Sequence, residues 1–228
     1  MADRENDTGQ YASPPCFMHE IDPAYSGLPS SDLEQQAVDV GRWRKAERSR
    51  LIAARLALSS EQRRDHGKRI ASYLREMLED ATGQVVSAYW PFRGEPDLRS
   101  LMTALTLDGA RTALPVVIER GRPLVFRLWR TGDRLEKGVW NIPVPAEGAE
   151  VVPDIVIAPV VGYDRANYRL GYGGGFYDRT LAAMTKRPRI IGVGYSSAFV
   201  PTIYPQSYDI PMDTIITELG EKRGERGV

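Results

Sequence analysis

The spacing of apolar residues changes along this chain, and the changes mark its elements. Between Val38 and Leu58 the pattern is helical. Arg44, Arg48 and Arg55 lie four and seven residues apart there. At about 100° per residue they share one helix face, with Leu51 and Leu58 beside it. Such a stripe is either a solvated basic face or the border of buried surface. Ser59-Ser60-Glu61-Gln62 then reads as a capping box, a serine followed three positions later by glutamine. It predicts a second helix to about Glu79, with Ile70, Leu74, Met77 and Leu78 facing the core and His66 exposed.

Beyond that point strands take over. Val85–Pro91 reads as a buried strand stopped by its proline, followed by the loop Phe92–Asp97. Asp97 has the chemistry of an N-cap for a helix over Leu98–Leu107. Thr112–Ile118 and Leu124–Trp129 are further strands, and Gly132-Asp133 a turn. Trp140–Pro145 is extended and bounded by prolines; Trp140 is either core filler or a stacking platform. Asp154–Val161 is apolar on both faces, as a central parallel strand is. Arg189–Tyr195 and Thr214–Thr217 complete the set. Strands alternating with helices predict the α/β class, a three-layer αβα sandwich with a mostly parallel sheet.

Residues 1–37 are rich in proline, glycine and serine without sustained periodicity, and read as an irregular arm. Its one dense patch, Cys16-Phe17-Met18-His19-Glu20, is better suited to docking than to metal binding, since Cys16 and His19 lack further ligands nearby. Residues 38–220 form the α/β domain, and the charged tail 221–228 is expected to fray.

Composition excludes several classes. Lys plus Arg and Asp plus Glu are both 30, so nothing favours a nucleic-acid partner. A single cysteine suits a reducing cytoplasm. No apolar run reaches membrane-spanning length, and the first residues lack the apolar core of a signal peptide.

The densest chemistry lies in Arg169-Leu170-Gly171-Tyr172-Gly173-Gly174-Gly175-Phe176-Tyr177-Asp178-Arg179, where four glycines fall within five residues. Glycines let backbone N–H groups approach a ligand, and a strand-to-helix turn gathers such groups into an anion-binding nest. Arg169 and Arg179 add phosphate-directed donors. A carboxylate so close, Asp178, would repel bare phosphate and so suggests a bridging Mg²⁺. The loop is no P-loop, because no Lys-Ser or Lys-Thr follows it. Nor is it a dinucleotide fingerprint, since Phe176 stands where the third glycine belongs. Glu95 lies on a loop at the C-terminal end of a strand, where open parallel sheets bind ligands.

Five separated patches together resemble one family. They are the glycine loop, the helix carrying Arg44, Arg48 and Arg55, Tyr89–Glu95, Trp140–Pro145 and Tyr208-Asp209-Ile210-Pro211. In order over roughly residues 42–220 they are similar to 5-formyltetrahydrofolate cyclo-ligases, also called methenyltetrahydrofolate synthetases. The resemblance implies one three-layer α/β domain and a ligase of folate and one-carbon metabolism. It would use ATP and Mg²⁺ to convert 5-formyltetrahydrofolate to 5,10-methenyltetrahydrofolate, releasing ADP and phosphate. Carried over by position, Arg44, Lys45 and Arg48 would face nucleotide phosphates; Arg44 replaces the family's usual lysine with a planar fork. Arg169, Gly171, Gly173, Gly174, Gly175, Phe176 and Tyr177 would cradle ATP, with Arg169 and Asp178 catalytic. Asp178 and Asp209 correspond to metal-binding acids, and Glu95 and Trp140 to folate contacts. Tyr172 occupies a variable position and is given a minor part. The expected partners are small molecules only, the enzyme being a monomer or small homo-oligomer. A catalytically silent folate- or nucleotide-binding regulator, and an isomerase-like enzyme needing no ATP, stand as alternatives.

Overall fold

The computed structural model describes residues 30–223. The expectations for Cys16 to Glu20 and for residues 224–228 lie outside it. Its helices are α1 (Ser30–Ala57), α2 (Ser60–Met77), α3 (Arg99–Leu107) and α4 (Phe176–Ala183). The strands are β1 (Val85–Ser87), β2 (Arg111–Val116), β3 (Val125–Leu128), β4 (Leu135–Lys137), β5 (Pro143–Pro145), β6 (Glu150–Val151), β7 (Ile155–Pro159), β8 (Gly162–Tyr163), β9 (Arg169–Leu170), β10 (Arg189–Val193), β11 (Thr214–Thr217) and β12 (Gly220–Arg223).

Eight strands form one sheet in the order β12-β11-β10-β7-β1-β2-β3-β6. The central five run parallel, while β3, β6 and β12 join antiparallel at the edges. The apolar run of β7 explains its place in the middle. Side chains alternate between sheet faces, and both faces of β7 are covered. Ile155 and Ile157 point into the cluster formed with Ile70 and Leu74 of α2 and Met102 and Leu105 of α3. Val156 and Ala158 point to the opposite face, where Leu181 and Met184 at the end of α4 pack. The result is a three-layer α/β sandwich. The long α1 stands aside from it and packs Leu51 against Val161, Leu170, Val200 and Ile203. No described helix is long and apolar enough to cross a membrane.

Several boundaries differ from the sequence reading. α1 begins at Ser30 and takes in the end of the expected arm. Its first turns are largely exposed, so they carry no apolar period to read. β12 pairs with β11 where a frayed tail was expected, after a reversal at Gly220. A charged edge strand is a common way to discourage further pairing. The capping box at Ser59 forms in full, a feature worth about 1 kcal/mol. Asp97 sits one residue before the cap position of α3, and its carboxylate accepts the Arg99 N–H at 3.0 Å. His66 is half-buried, not exposed, with its ring 5.6 Å from that of Tyr195.

Candidate active site

β1 is followed in sequence by β2 on one side of it, whereas β7, β10 and β11 build outward on the other. The strand order therefore reverses between β1 and β7, and clefts form at the C-terminal ends of strands at such a point. A cavity of about 540 Å³ opens there, within the usual range for small-molecule sites.

The glycine loop forms one wall. β9 delivers the chain into it, and α4 starts directly after it. Gly173 (φ +92°) and Gly175 (φ +62°) take left-handed backbone conformations, which cost a side-chain-bearing residue roughly 1 kcal/mol or more. A Cβ on Gly173 would also come within 3.3 Å of the Arg48 guanidinium. Gly175 is the N-cap of α4 and has no side chain to bond the first turn. Among the described residues, no N–H from Gly171 through Asp178 donates to a protein acceptor. These are the groups an anion would take up.

Cations surround the loop. Arg48 Nε donates to the Gly171 carbonyl at 2.6 Å, and its terminal nitrogens lie beside Gly173. Burial, and then neighbouring Arg44, lower the Arg48 pKa. Two crowded guanidinium groups at a cavity wall favour a polyanion. Arg169 donates to Asp178 at 2.8 Å and lies 5.0 Å above the Tyr177 ring, while its Nε is buried without a partner. Arg179 donates to the Gly174 carbonyl from outside the cavity.

Both expected metal acids line this cavity. Asp178 accepts Arg169 on one oxygen and the Ile210 N–H at 3.3 Å on the other. That second bond ties the first turn of α4 to the segment carrying Asp209. Asp209 is more fully engaged, accepting both Arg44 terminal nitrogens and the Gln206 N–H at 2.7 Å. Arg44 also donates to the Ile203 and Tyr204 carbonyls at 2.9 and 2.7 Å. Its fork is thus bound into the 203–209 loop as much as turned to the cavity. Asp213 lies elsewhere and accepts the Ile190 N–H at 2.7 Å at the start of β10.

Across the cavity Glu95 is 6% exposed. It accepts the Phe92 N–H and the Tyr172 hydroxyl, each at 2.9 Å. Burial raises its pKa from 4.5 to about 7, against the opposing pull of Arg55, the Phe92 N–H and the Tyr172 hydroxyl. Trp140 is half exposed at the rim, with its ring edge-to-face on Phe176 at 5.8 Å. It is therefore not core filler.

The structure brings Arg44, Arg48, Glu95, Trp140, Arg169, Gly171, Gly173, Gly174, Gly175, Phe176, Tyr177, Asp178 and Asp209 to one cavity. Lys45 stays outside it, exposed, because the next helix residue points about 100° away. The arginine stripe of α1 is not a solvated face, since Arg44 and Arg55 are buried and Arg48 half-buried. Sequence reasoning gave Tyr172 only a minor part and did not single out Arg93, which also lines the wall. Position inside the glycine loop was the available signal for Tyr172. Arg55 carried only its place on the stripe.

A family model described as the 5-formyltetrahydrofolate cyclo-ligase family matches residues 40–218. The chain is 32% identical over 151 residues to a 5-formyltetrahydrofolate cyclo-ligase of Mycolicibacterium smegmatis, covering 63% of this chain and 76% of that protein. It is 29% identical over 171 residues to the Escherichia coli K12 protein of that name, covering 72% and 93%. Among solved structures, a 5,10-methenyltetrahydrofolate synthetase of Aquifex aeolicus aligns with a TM-score of 0.69 at 28% identity, over 81% of this chain and 94% of that one.

Proposed function

Because the chain belongs to the 5-formyltetrahydrofolate cyclo-ligase family, we propose that it closes 5-formyltetrahydrofolate to 5,10-methenyltetrahydrofolate, consuming ATP with Mg²⁺ and releasing ADP and phosphate. The observation that carries this reading is the row of unengaged N–H groups from Gly171 to Asp178, with Arg48 and Arg169 beside it.

Those donors would hold the triphosphate, with Arg48 against it from α1. Phosphoryl transfer rests on in-line positioning and charge neutralisation, so no activated Ser or Cys nucleophile is needed. The formyl oxygen attacks the γ-phosphorus, the bond to ADP breaks, and an iminium phosphate forms. N10 then adds to the formyl carbon, and phosphate leaves with the N10 proton. Holding N5 and N10 close supplies much of the rate of that closure. Trp140 stacked on the folate at the rim, with Glu95 accepting ring N–H groups, would fix this geometry.

The carboxylates fit a Mg²⁺ ion. Among the described residues no group of three or more His, Cys, Asp or Glu could hold a metal. Mg²⁺, however, uses one or two carboxylates together with phosphate oxygens and water. Each Asp178 oxygen accepts one hydrogen bond and keeps a lone pair, so Asp178 would hold the ion with Asp209 beside it. The ion would neutralise charge on the phosphates. The deciding experiment follows the near-ultraviolet absorbance of the methenyl product with and without MgATP. Product is expected only with MgATP; product without ATP overturns the reading, as does no product under either condition.

A further inference from the structure

Tyr172 sits between Gly171 and Gly173, yet its side chain leaves the loop for the opposite wall. Its ring lies 5.7 Å from that of Phe92. Its hydroxyl lies 2.9 Å from Glu95 Oε1 and 3.4 Å from the Phe92 carbonyl. The single proton goes to the nearer, charged acceptor. A lone pair of the same oxygen accepts Arg55 Nη2, while Arg55 Nε donates to the Arg93 carbonyl at 3.0 Å. The other Glu95 oxygen is fixed by the Phe92 N–H. One hydroxyl thus joins α1, the glycine loop and the loop after β1.

We propose that Tyr172, supported by Arg55, is a positioning residue for the folate step, a strut that carries the place of the glycine loop onto Glu95 and holds its carboxylate ionised and aimed. This rests on the folate role assigned above to Glu95. Arg55 from α1 and the Tyr172 hydroxyl favour the charged form of Glu95. Tyr89, Tyr177 and Tyr195 also face it, and their phenols are pushed up by burial and stay neutral. Removing the hydroxyl takes away a bond that favours the carboxylate and leaves nothing in its place.

Tyr172→Phe tests the strut, because it keeps the ring on Phe92 and deletes only the oxygen. Two quantities are followed against pH: the dissociation constant of 5-formyltetrahydrofolate, and the carbon-13 resonance of the Glu95 carboxyl, assigned by its absence in Glu95→Gln. In the parent both should turn over near the Glu95 pKa of about 7. In Tyr172→Phe the midpoint should rise by about one pH unit, the order expected for one lost bond to a carboxylate. At pH 7 binding then weakens about fivefold, and raising the pH to about 9 restores it. A merely structural loss would not be restored by base. Arg55→Ala should move the midpoint the same way, and the double variant by less than the sum of the two. An unmoved carboxyl midpoint in Tyr172→Phe overturns the proposal even if Arg55→Ala fails to fold. If the parent binds no 5-formyltetrahydrofolate at any pH, the functional reading fails, and the resonance still decides the strut.

Discussion

Glu95→Gln offers a quantitative test of the electrostatics. The substitution keeps the shape of the side chain and removes its charge. The parent carboxyl is 6% exposed, and burial raises its pKa from 4.5 to about 7. A group raised in the folded state contributes stability that is complete below its unfolded pKa and lost as pH climbs through the folded one. The gap between 4.5 and about 7, at about 1.36 kcal/mol per pH unit, comes to roughly 3 kcal/mol. About 2.5 kcal/mol of that falls between pH 5 and pH 8. Unfolding by urea at four pH values in this range gives ΔG for parent and variant. Subtraction cancels every other titrating group. Glu95→Gln should gain on the parent by about 2.5 kcal/mol from pH 5 to pH 8. In thermal melts that is roughly 5–10 °C for a chain of this size. A difference flat with pH, or falling as pH rises, would refute the claim that this carboxyl is held in a dry site.

Three other substitutions have definite expected outcomes. Asp178→Ala should lower turnover on the order of a hundredfold and blunt its dependence on Mg²⁺ concentration, read in the absorbance assay. Arg48→Ala should raise the KM for ATP about tenfold or more, as loss of a charge-assisted contact does, with a smaller change in the KM for the folate. Asp164 is buried and accepts the N–H groups of Ala166, Tyr168 and Ile203 at 3.0, 3.0 and 3.1 Å. Asp164→Ala should therefore cost roughly 3 kcal/mol or more in urea unfolding, because three donors lose their acceptor.

What the chain reveals about itself depends on the range of the interaction. β7 announces its central place because apolar residues cover both of its faces, a local pattern. The glycine loop is legible for the same reason, its conformation and its chemistry being encoded in adjacent residues. Other features need a distant partner. Whether Arg44 reaches solvent or Asp209 is settled by a contact 165 positions away. The stripe shared by Arg44, Arg48 and Arg55 gives direction but not destination. Tyr172 reads as a loop filler until the fold sets Glu95, 77 positions away, against its hydroxyl. Asp178 and Asp209 line one cavity, with the N–H of Ile210, next after Asp209, donated to Asp178, and no sequence pattern encodes such a contact. The start of α1 and the strand β12 escape notice for the opposite reason, since neither shows the apolar periodicity by which an element is recognised.

Helix α4 opens on Gly175, which has no side chain to satisfy its first turn. A capping side chain usually takes such first-turn N–H groups. On the proposed function the first turn would be completed by a bound phosphate, so that nucleotide affinity and local order would become a single quantity. Hydrogen exchange at Phe176, Tyr177 and Asp178 should slow when MgATP is added and quicken again when the nucleotide is removed.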